Sequence, residues 1–215
     1  MNITTYETQK GQKPSYSIEV KQMLSYDIIT GLFDKLISLV SLIMTLPIMF
    51  LVALLIKLED GGSVFYSQKR LGKDGSIFVI YKFRSMRMDA EKTGIQWAKR
   101  EDERVTKTGR FIRKTRLDEL PQLYNILVGH MKLIGPRPER PELAEEFYEE
   151  LPEFVNRLAI KPGLTGLAQV NGGYDITPAE KLVFDVEYIK KRGFMLDLKI
   201  IFKTVGVVLS GDGAR

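Results

Sequence analysis

The residues with the clearest chemical potential are two adjacent carboxylates, Asp118 and Glu119. Pro121 follows them, so the pattern predicts Asp118 as the N-cap of the next helix, with both acids at its positive dipole end. There they are expected to stay ionised and available. Such a pair can ligate a divalent cation, or one member can attack phosphorus as a nucleophile. Taken alone, however, an ordinary helix cap explains the pair better than a reactive site does.

The charges around the acidic pair favour a reactive site. Segment 99–116 contains eight cations against three acids, and Lys82, Arg84 and Arg87 follow a predicted β-hairpin. A basic wall beside two carboxylates is what a Mg²⁺–pyrophosphate substrate requires. The alternatives are a solvated basic face and a patch that binds anionic lipid headgroups.

Two loops add candidate binding residues. In Gly135-Pro136-Arg137-Pro138 the prolines stiffen the backbone around Arg137, which lowers the entropy cost of holding its guanidinium against a phosphate. An exposed arginine in an ordinary loop is equally compatible. Segment 161–173 is rich in glycine, but its spacing matches neither a P-loop nor a dinucleotide fingerprint. Its glycines permit close approach to a ligand, and Gln169 and Asn171 have the chemistry to recognise a base or a sugar, although a structural loop is favoured.

The composition excludes several classes of site. The 215 residues include no Cys and one His, so a disulfide scaffold, a thiolate metal centre, a Cys nucleophile and a multi-His metal site are ruled out. The single histidine, His130, has no convincing serine–aspartate partners for a catalytic triad and is expected in a loop or an interface. The formal charge is +5.

The element that anchors these residues is an uncharged run of 21 residues from Leu36 to Ile56. As a helix it would be about 32 Å long, enough to cross a bilayer. Pro47 predicts a kink, so two topologies fit: a bent spanning helix, or a re-entrant helix hairpin with both ends on one face. Halves of about 11 and 9 residues favour the hairpin. The basic downstream part is predicted to be cytoplasmic.

The predicted fold is a mostly helical α+β protein with a re-entrant membrane helix and a small cytoplasmic domain. We divide the chain into a polar leader (1–29), a membrane element (30–58) and a catalytic domain (59–215). Trp97 fits either a membrane-interface anchor or a cover over the core. The predicted elements of the body are a β-hairpin (Val64–Arg70 and Ser76–Phe83, turning at Asp74-Gly75) and helices at Thr108–Thr115, Glu119–Val128, Pro141–Phe154, Pro178–Arg192 and Asp197–Leu209, the last two amphipathic and interfacial.

The motifs of the chain, in their order along the sequence, resemble those of the bacterial sugar transferase family. Its members are small monotopic phosphoglycosyl transferases that begin polysaccharide or glycoconjugate assembly. The resemblance runs from about Asp34 to about Thr204. The matching motifs are the Pro-interrupted apolar run, Tyr81-Lys82-Phe83-Arg84-Ser85-Met86, Leu117-Asp118-Glu119-Leu120-Pro121-Gln122-Leu123, Gly135-Pro136-Arg137-Pro138, Lys161-Pro162-Gly163-Leu164-Thr165-Gly166 and Asp197-Leu198-Lys199-Ile200. Each motif is weak alone, but six in order are specific.

The resemblance implies transfer of a sugar-1-phosphate from a UDP-sugar to polyprenyl (undecaprenyl) phosphate, with Mg²⁺ and release of UMP. It implies a re-entrant anchor in the bacterial inner membrane, with the body on membrane lipid at the cytoplasmic face and no nucleic-acid partner. Asp118 would be the nucleophile and a metal ligand, and Glu119 would assist it or activate the acceptor phosphate. The predicted substrate-binding residues are Lys82, Arg84, Arg113, Arg137 and Gln169. The amphipathic C-terminal helix also allows a homodimer.

The chain departs from the usual family pattern at several places, none of them in the acidic pair. Leu46 stands before Pro47 where a serine is usual, and Arg192-Gly193 replaces a polar pair. His130, Lys132, Leu167 and Gly173 replace the usual Asp, Ser, Trp and Arg, which affects support of the site and contacts with nucleotide or sugar.

Two non-catalytic hypotheses compete with the transferase. A membrane module that binds anionic lipid or nucleic acid through its basic face would be insensitive to Asp118→Asn, and its binding would fall steeply with salt. A scaffold that recruits other assembly enzymes would show no turnover with any UDP-sugar. The acidic pair inside the basic wall argues against the first.

Overall fold

The computed structural model describes residues 14–20, 23–92, 94, 102–172 and 176–210. Most of the predicted leader and the residues Trp97, Lys99, Arg100 and Gly173 lie outside the described residues. The helices are α1 (Leu24–Asp60), α2 (Lys107–Lys114), α3 (Gln122–Leu127), α4 (Pro141–Glu150), α5 (Leu167–Gly172), α6 (Pro178–Lys191) and α7 (Phe194–Ser210). The strands are β1 (Phe65–Leu71), β2 (Ile77–Phe83), β3 (Lys132–Ile134) and β4 (Gly163–Thr165). The predicted α+β class, mostly helical with small sheets, is confirmed.

The long helix α1 contains the predicted apolar run. It has 37 residues and remains α-helical on both sides of Pro47, ending at Gly61 in the left-handed conformation (φ 72°). Most of its apolar side chains are exposed to the surroundings. By length and composition it is the one helix of the described part of the chain that qualifies as a membrane span.

Both ends of α1 are bound to the same body. Near its start, Asp27 accepts hydrogen bonds from Lys132 at 3.0 Å and Arg192 at 2.7 Å. At its end, Glu59 accepts the backbone N–H groups of Lys107 and Thr108 at 2.8 and 3.1 Å. Because these contacts tie opposite ends of one helix to the body, the body fixes the placement of α1.

The predicted β-hairpin is confirmed, with Phe65 paired to Phe83 and antiparallel register throughout. Its tip, the connection of residues 72–76, has positive φ at both Asp74 (55°) and Gly75 (78°). Alternate residues of β2, among them Phe78 and Ile80, are buried on its inner face. This alternation sets the face on which each β2 side chain lies.

A second sheet was not predicted from the sequence. Strands β3 and β4 pair in parallel over three residues each. Their approach depends on glycine: a Cβ built on Gly163 would lie 2.1 Å from the Gly135 nitrogen, and one on Gly166 would lie 2.2 Å from the Gly135 oxygen. These two glycines therefore serve backbone packing between the loops rather than the approach of a ligand, which corrects one suggestion drawn from the sequence.

The two C-terminal helices enclose one side of the core. Thr177 and Glu180 form a capping box at the start of α6. Along α7 only Asp197 and Ile200 are buried, and the carboxylate of Asp197 accepts hydrogen bonds from the Tyr26 and Tyr188 hydroxyls at 2.5 and 2.9 Å. The start of α1 is thereby joined to α6 and α7, while most apolar side chains of α7 remain exposed.

Candidate active site

The acidic pair lies in a 3₁₀ turn, Leu117–Glu119, between α2 and α3. The N-cap prediction for Asp118 is therefore wrong, because α3 begins only at Gln122, with Pro121 in the cap position. An N-cap at Asp118 would bind the backbone N–H of residue 120 or of residue 121, and neither is available. Leu120 N–H donates to the Leu117 carbonyl at 3.2 Å, and Pro121 has no N–H.

Glu119 is enclosed by two cations. Lys82 Nζ donates to its Oε1 at 3.1 Å, and the Arg137 guanidinium binds the same carboxylate through both terminal nitrogens. Burial alone would raise the pKa of Glu119, but Arg137 and Lys82 more than offset this and hold it well below its usual range. Glu119 is therefore an ionised partner that fixes two cations.

Asp118 has a different environment. Its side chain is buried, at 8% exposed, and receives no hydrogen bond from the described residues. Burial raises the pKa of Asp118 to about 6, and the charge of Glu119 raises it too, against the attraction of Lys82 and Arg113. The dipole of α3 adds little at this position, since the helix has only six residues and burial dominates.

A buried asparagine positions the strand that carries Lys82. Asn125 on α3 accepts the Tyr81 N–H at 3.1 Å through Oδ1 and donates to the Val79 carbonyl at 2.6 Å through Nδ2. Since α3 follows directly after the acidic pair, this side chain fixes the strand with Lys82 and the turn with Glu119 in one arrangement. The sequence analysis missed Asn125.

A second cluster of buried charges positions Arg137. Arg157 Nη2 donates to the Arg137 carbonyl at 2.8 Å, and its Nε donates to Asp185 at 2.5 Å. Glu139, two residues after Arg137, accepts from Lys181 at 2.7 Å. This cluster was not predicted, although Asp185 stands between two apolar neighbours, Phe184 and Val186, where a single charge is a signal of a buried ion pair.

Of the other predicted binding residues, Gln169 lies beside the site and Arg84 does not contact the pair. Gln169 donates to the Leu164 carbonyl at 2.8 Å, which Arg137 Nη1 also approaches at 3.5 Å, and its buried Oε1 has no partner among the described residues. The Arg84 guanidinium binds Asp60, and its Nε donates to the Ser63 carbonyl at 2.6 Å. Arg84 thus holds the end of α1.

The donor set is compatible with Mg²⁺ shared between protein and substrate. Within the described ranges no group of three or more His, Cys, Asp or Glu side chains converges. Mg²⁺ is commonly held by one or two carboxylates together with substrate phosphates and waters. With Glu119 bound by cations, Asp118 is the carboxylate with free oxygens, so it would be the protein ligand.

Comparison with known proteins identifies the family. The family model described as bacterial sugar transferase matches residues 25–211, which include all but the first residue of α1, the acidic turn and the cations around it. The chain belongs to the bacterial sugar transferase family. The resemblance noted in the sequence is therefore confirmed.

Three relatives illustrate the range of the family. The chain is 44% identical over 185 residues to the UDP-N-acetylgalactosamine-undecaprenyl-phosphate N-acetylgalactosaminephosphotransferase of Aeromonas hydrophila, covering 85% of this chain and 44% of that protein. It is 38% identical over 185 residues to the UDP-glucose:undecaprenyl-phosphate glucose-1-phosphate transferase of Xanthomonas campestris pv. campestris, covering 83% and 38%. It is 38% identical over 198 residues to the exopolysaccharide production protein ExoY of Sinorhizobium fredii, covering 85% and 86%. The chain thus spans less than half the length of the first two.

Proposed function

We propose that this chain transfers a sugar-1-phosphate from a UDP-sugar to undecaprenyl phosphate, as the first membrane step of polysaccharide or glycoconjugate synthesis. The names of relatives that share 38–44% identity with it support this activity. The single observation that carries the proposal is the contrast within the acidic pair. One carboxylate is neutralised by cations, and its neighbour is buried and receives no hydrogen bond from the part of the chain that the structure describes.

Asp118 is the proposed nucleophile. Its carboxylate oxygen forms a bond to the sugar-bearing phosphorus of the UDP-sugar, and the bond from that phosphorus to the bridging oxygen breaks, so that UMP leaves with the electron pair. A phosphate oxygen of undecaprenyl phosphate then attacks the same phosphorus. This breaks the bond to Asp118 and yields the lipid diphosphosugar. A carboxylate with few hydrogen bonds is well suited to attack, because no strong contact must be broken first.

The cations around the pair offset the negative charge of the donor. Lys82 and Arg137 are held in place by Glu119, and both act electrostatically on Asp118. Arg113, which acts electrostatically on Asp118, adds a third positive charge. Mg²⁺, held by Asp118, would supply further charge neutralisation for the phosphates. Without these charges two carboxylates would repel the substrate.

We further propose that α1 is re-entrant, with the body on the cytoplasmic face of the bacterial inner membrane. The support is that both ends of α1 bind one body, through Asp27 and Glu59. A spanning helix would place its two ends on opposite sides of a hydrocarbon core about 30 Å thick. Pro47 lies inside the helix and supplies the place for a bend. A cytoplasmic body also has access to a soluble nucleotide sugar.

The experiment that tests the activity is UMP release from a panel of UDP-sugars, with undecaprenyl phosphate and Mg²⁺ in detergent. We expect UMP with at least one donor. Asp118→Asn should reduce it by at least about 10³-fold, because a neutral amide is no nucleophile. The exposed Asp89→Asn is the matched control, since it removes the same charge outside the site.

Two outcomes would overturn this proposal. One is a folded, membrane-bound protein that releases no UMP with any donor, as the scaffold hypothesis predicts. The other is Asp118→Asn with full activity. Mass spectrometry of the protein incubated with donor alone tests the covalent intermediate, which should add the mass of one sugar phosphate to the wild type and not to Asp118→Asn.

A further inference from the structure

A cavity of about 580 Å³ lies apart from the acidic pair, between the start of α1, the tip of the β-hairpin and strand β3. None of the residues that line it belongs to the acidic pair or to the cations around that pair. The residues argued to bind UDP-sugar and acceptor therefore leave this cavity unexplained.

Among the charged side chains that line the cavity, basic ones outnumber acidic ones. Five cations and three carboxylates face the cavity: Lys35, Lys73, Lys132, Lys161 and Arg192, and Asp27, Asp34 and Asp74. Lys132 and Arg192 are both paired with Asp27. The remaining lysines outnumber the remaining carboxylates, so the cavity has an excess of positive charge.

The three lysines of the rim, Lys35, Lys73 and Lys161, are exposed. A Cβ built on Gly129 would lie 3.7 Å from Lys161 Nζ and 3.9 Å from Lys35 Cε, so two of these side chains converge on one point. Neither Lys35 nor Lys73 has a hydrogen-bond partner for its Nζ in the described part of the chain, while Lys161 Nζ donates to the Gly129 carbonyl at 2.7 Å. Burial lowers the pKa of Lys161, and the charges of Lys132, Lys35 and Lys73 lower it further, which shows that they repel one another.

Part of the cavity wall is apolar and continuous with the apolar helix. Leu24 and Ile28 in the first turns of α1 line the cavity and are 75% and 54% exposed, and Met23 and Val20 lie beside them. A free anion would satisfy the lysines but leave this wall in water. A phosphate carried by an acyl chain would satisfy both parts.

We propose that this cavity binds the phosphate headgroup of an anionic membrane lipid, distinct from both substrates. The converging lysines would contact the phosphate, and the apolar wall would contact the glycerol and the first acyl carbons. Such a lipid would stabilise the junction between α1 and the body at the membrane surface, where anionic headgroups and lysines attract each other.

The test measures thermal unfolding of the full chain in detergent with three probes: short-chain phosphatidylglycerol, short-chain phosphatidylcholine and inorganic phosphate. We expect phosphatidylglycerol to raise Tm by several degrees and phosphatidylcholine to have little effect. The Lys35→Gln/Lys73→Gln variant should lose most of that shift. Its control is Lys69→Gln/Lys190→Gln, which removes the same charge from exposed lysines outside the cavity and should keep the shift.

A second pair of variants tests the volume of the cavity rather than its charge. A Cβ on Gly31, which lines the cavity, would meet nothing within 4 Å. Gly31→Phe should fill the space and abolish the shift, whereas Gly31→Ala should leave it. A shift of equal size with inorganic phosphate would assign the site to a free anion and overturn the lipid proposal. A phosphatidylglycerol shift that the lysine variant and Gly31→Phe both retain would overturn the site itself.

Discussion

The acidic pair Asp118–Glu119 and the neighbouring pair Glu139–Asp185 are built from the same kinds of group. In both, surrounding cations hold the pKa of a buried glutamate below its usual range although burial opposes this. In both, burial raises the pKa of the aspartate. Burial and a perturbed pKa therefore do not by themselves distinguish a reactive carboxylate from a structural one.

The two aspartates differ in their hydrogen-bond donors and in their solvent exposure. Asp185 is 1% exposed, and Arg157 Nε donates to it at 2.5 Å. Asp118 is 8% exposed and receives no hydrogen bond from the described residues. The two clusters are also connected, because Arg157 holds the backbone carbonyl of Arg137 at 2.8 Å. One pair is a fixed support, and the other has an oxygen available to a substrate.

The largest expected effect comes from removing the centre of the supporting cluster. Arg157→Met leaves Asp185 buried without its cation and removes one of the two cations bound to Glu139, so we expect a loss of about 3–5 kcal/mol in the free energy of unfolding. Denaturant unfolding in detergent measures it. The exposed Arg110→Met, which removes the same charge, should cost less than about 0.5 kcal/mol. A loss below about 1 kcal/mol for Arg157→Met would show that the cluster is not structural.

Sequence patterns predicted the long helix, the hairpin and the amphipathic C-terminal helices because each has a strong local signal. The Asp74-Gly75 turn and the uncharged run need no distant contact to be recognised. Strands β3 and β4 have three residues each, too few for periodicity, and they pair in parallel across 28 intervening residues. That sheet depends on tertiary packing, with glycines where the two backbones meet.

The candidate site, like the fold, has parts that local sequence reveals and parts that depend on tertiary contacts. Asp118 and Glu119 are adjacent, so spacing revealed them, and the cations of nearby motifs could be attached to them. Whether a cation meets the pair is a tertiary fact: Lys82 binds Glu119, whereas Arg84, two residues later, binds Asp60. That Glu139 and Asp185 belong to one cluster could not be predicted, because the two residues are far apart in sequence.

A smaller expected effect is the pH dependence of the stability that Glu139 contributes. The pKa of Glu139 is lowered from its ordinary 4.5 to about 2, since Lys181 and Arg157 outweigh its burial. Its contribution to stability is thus present above about pH 4.5 and is lost as pH falls toward 2. Glu139→Gln should cost about 2–3 kcal/mol at pH 7, and this difference should shrink as pH falls to 3. The exposed Glu153→Gln should show no such trend.

The smallest expected effect has the opposite sign and falls on Asp118. Its folded pKa of about 6 lies above the ordinary 3.8, so ionising it destabilises the fold increasingly as pH rises from 4 to 6. Asp118→Asn, measured by denaturant unfolding without Mg²⁺, should therefore gain about 1–2 kcal/mol at pH 7.5 and almost nothing at pH 4. A variant that is less stable than the wild type at pH 7.5 would mean that Asp118 is a structural carboxylate like Asp185. A gain together with lost turnover would mean that the fold maintains an unfavourable charge at the position where the reaction needs it.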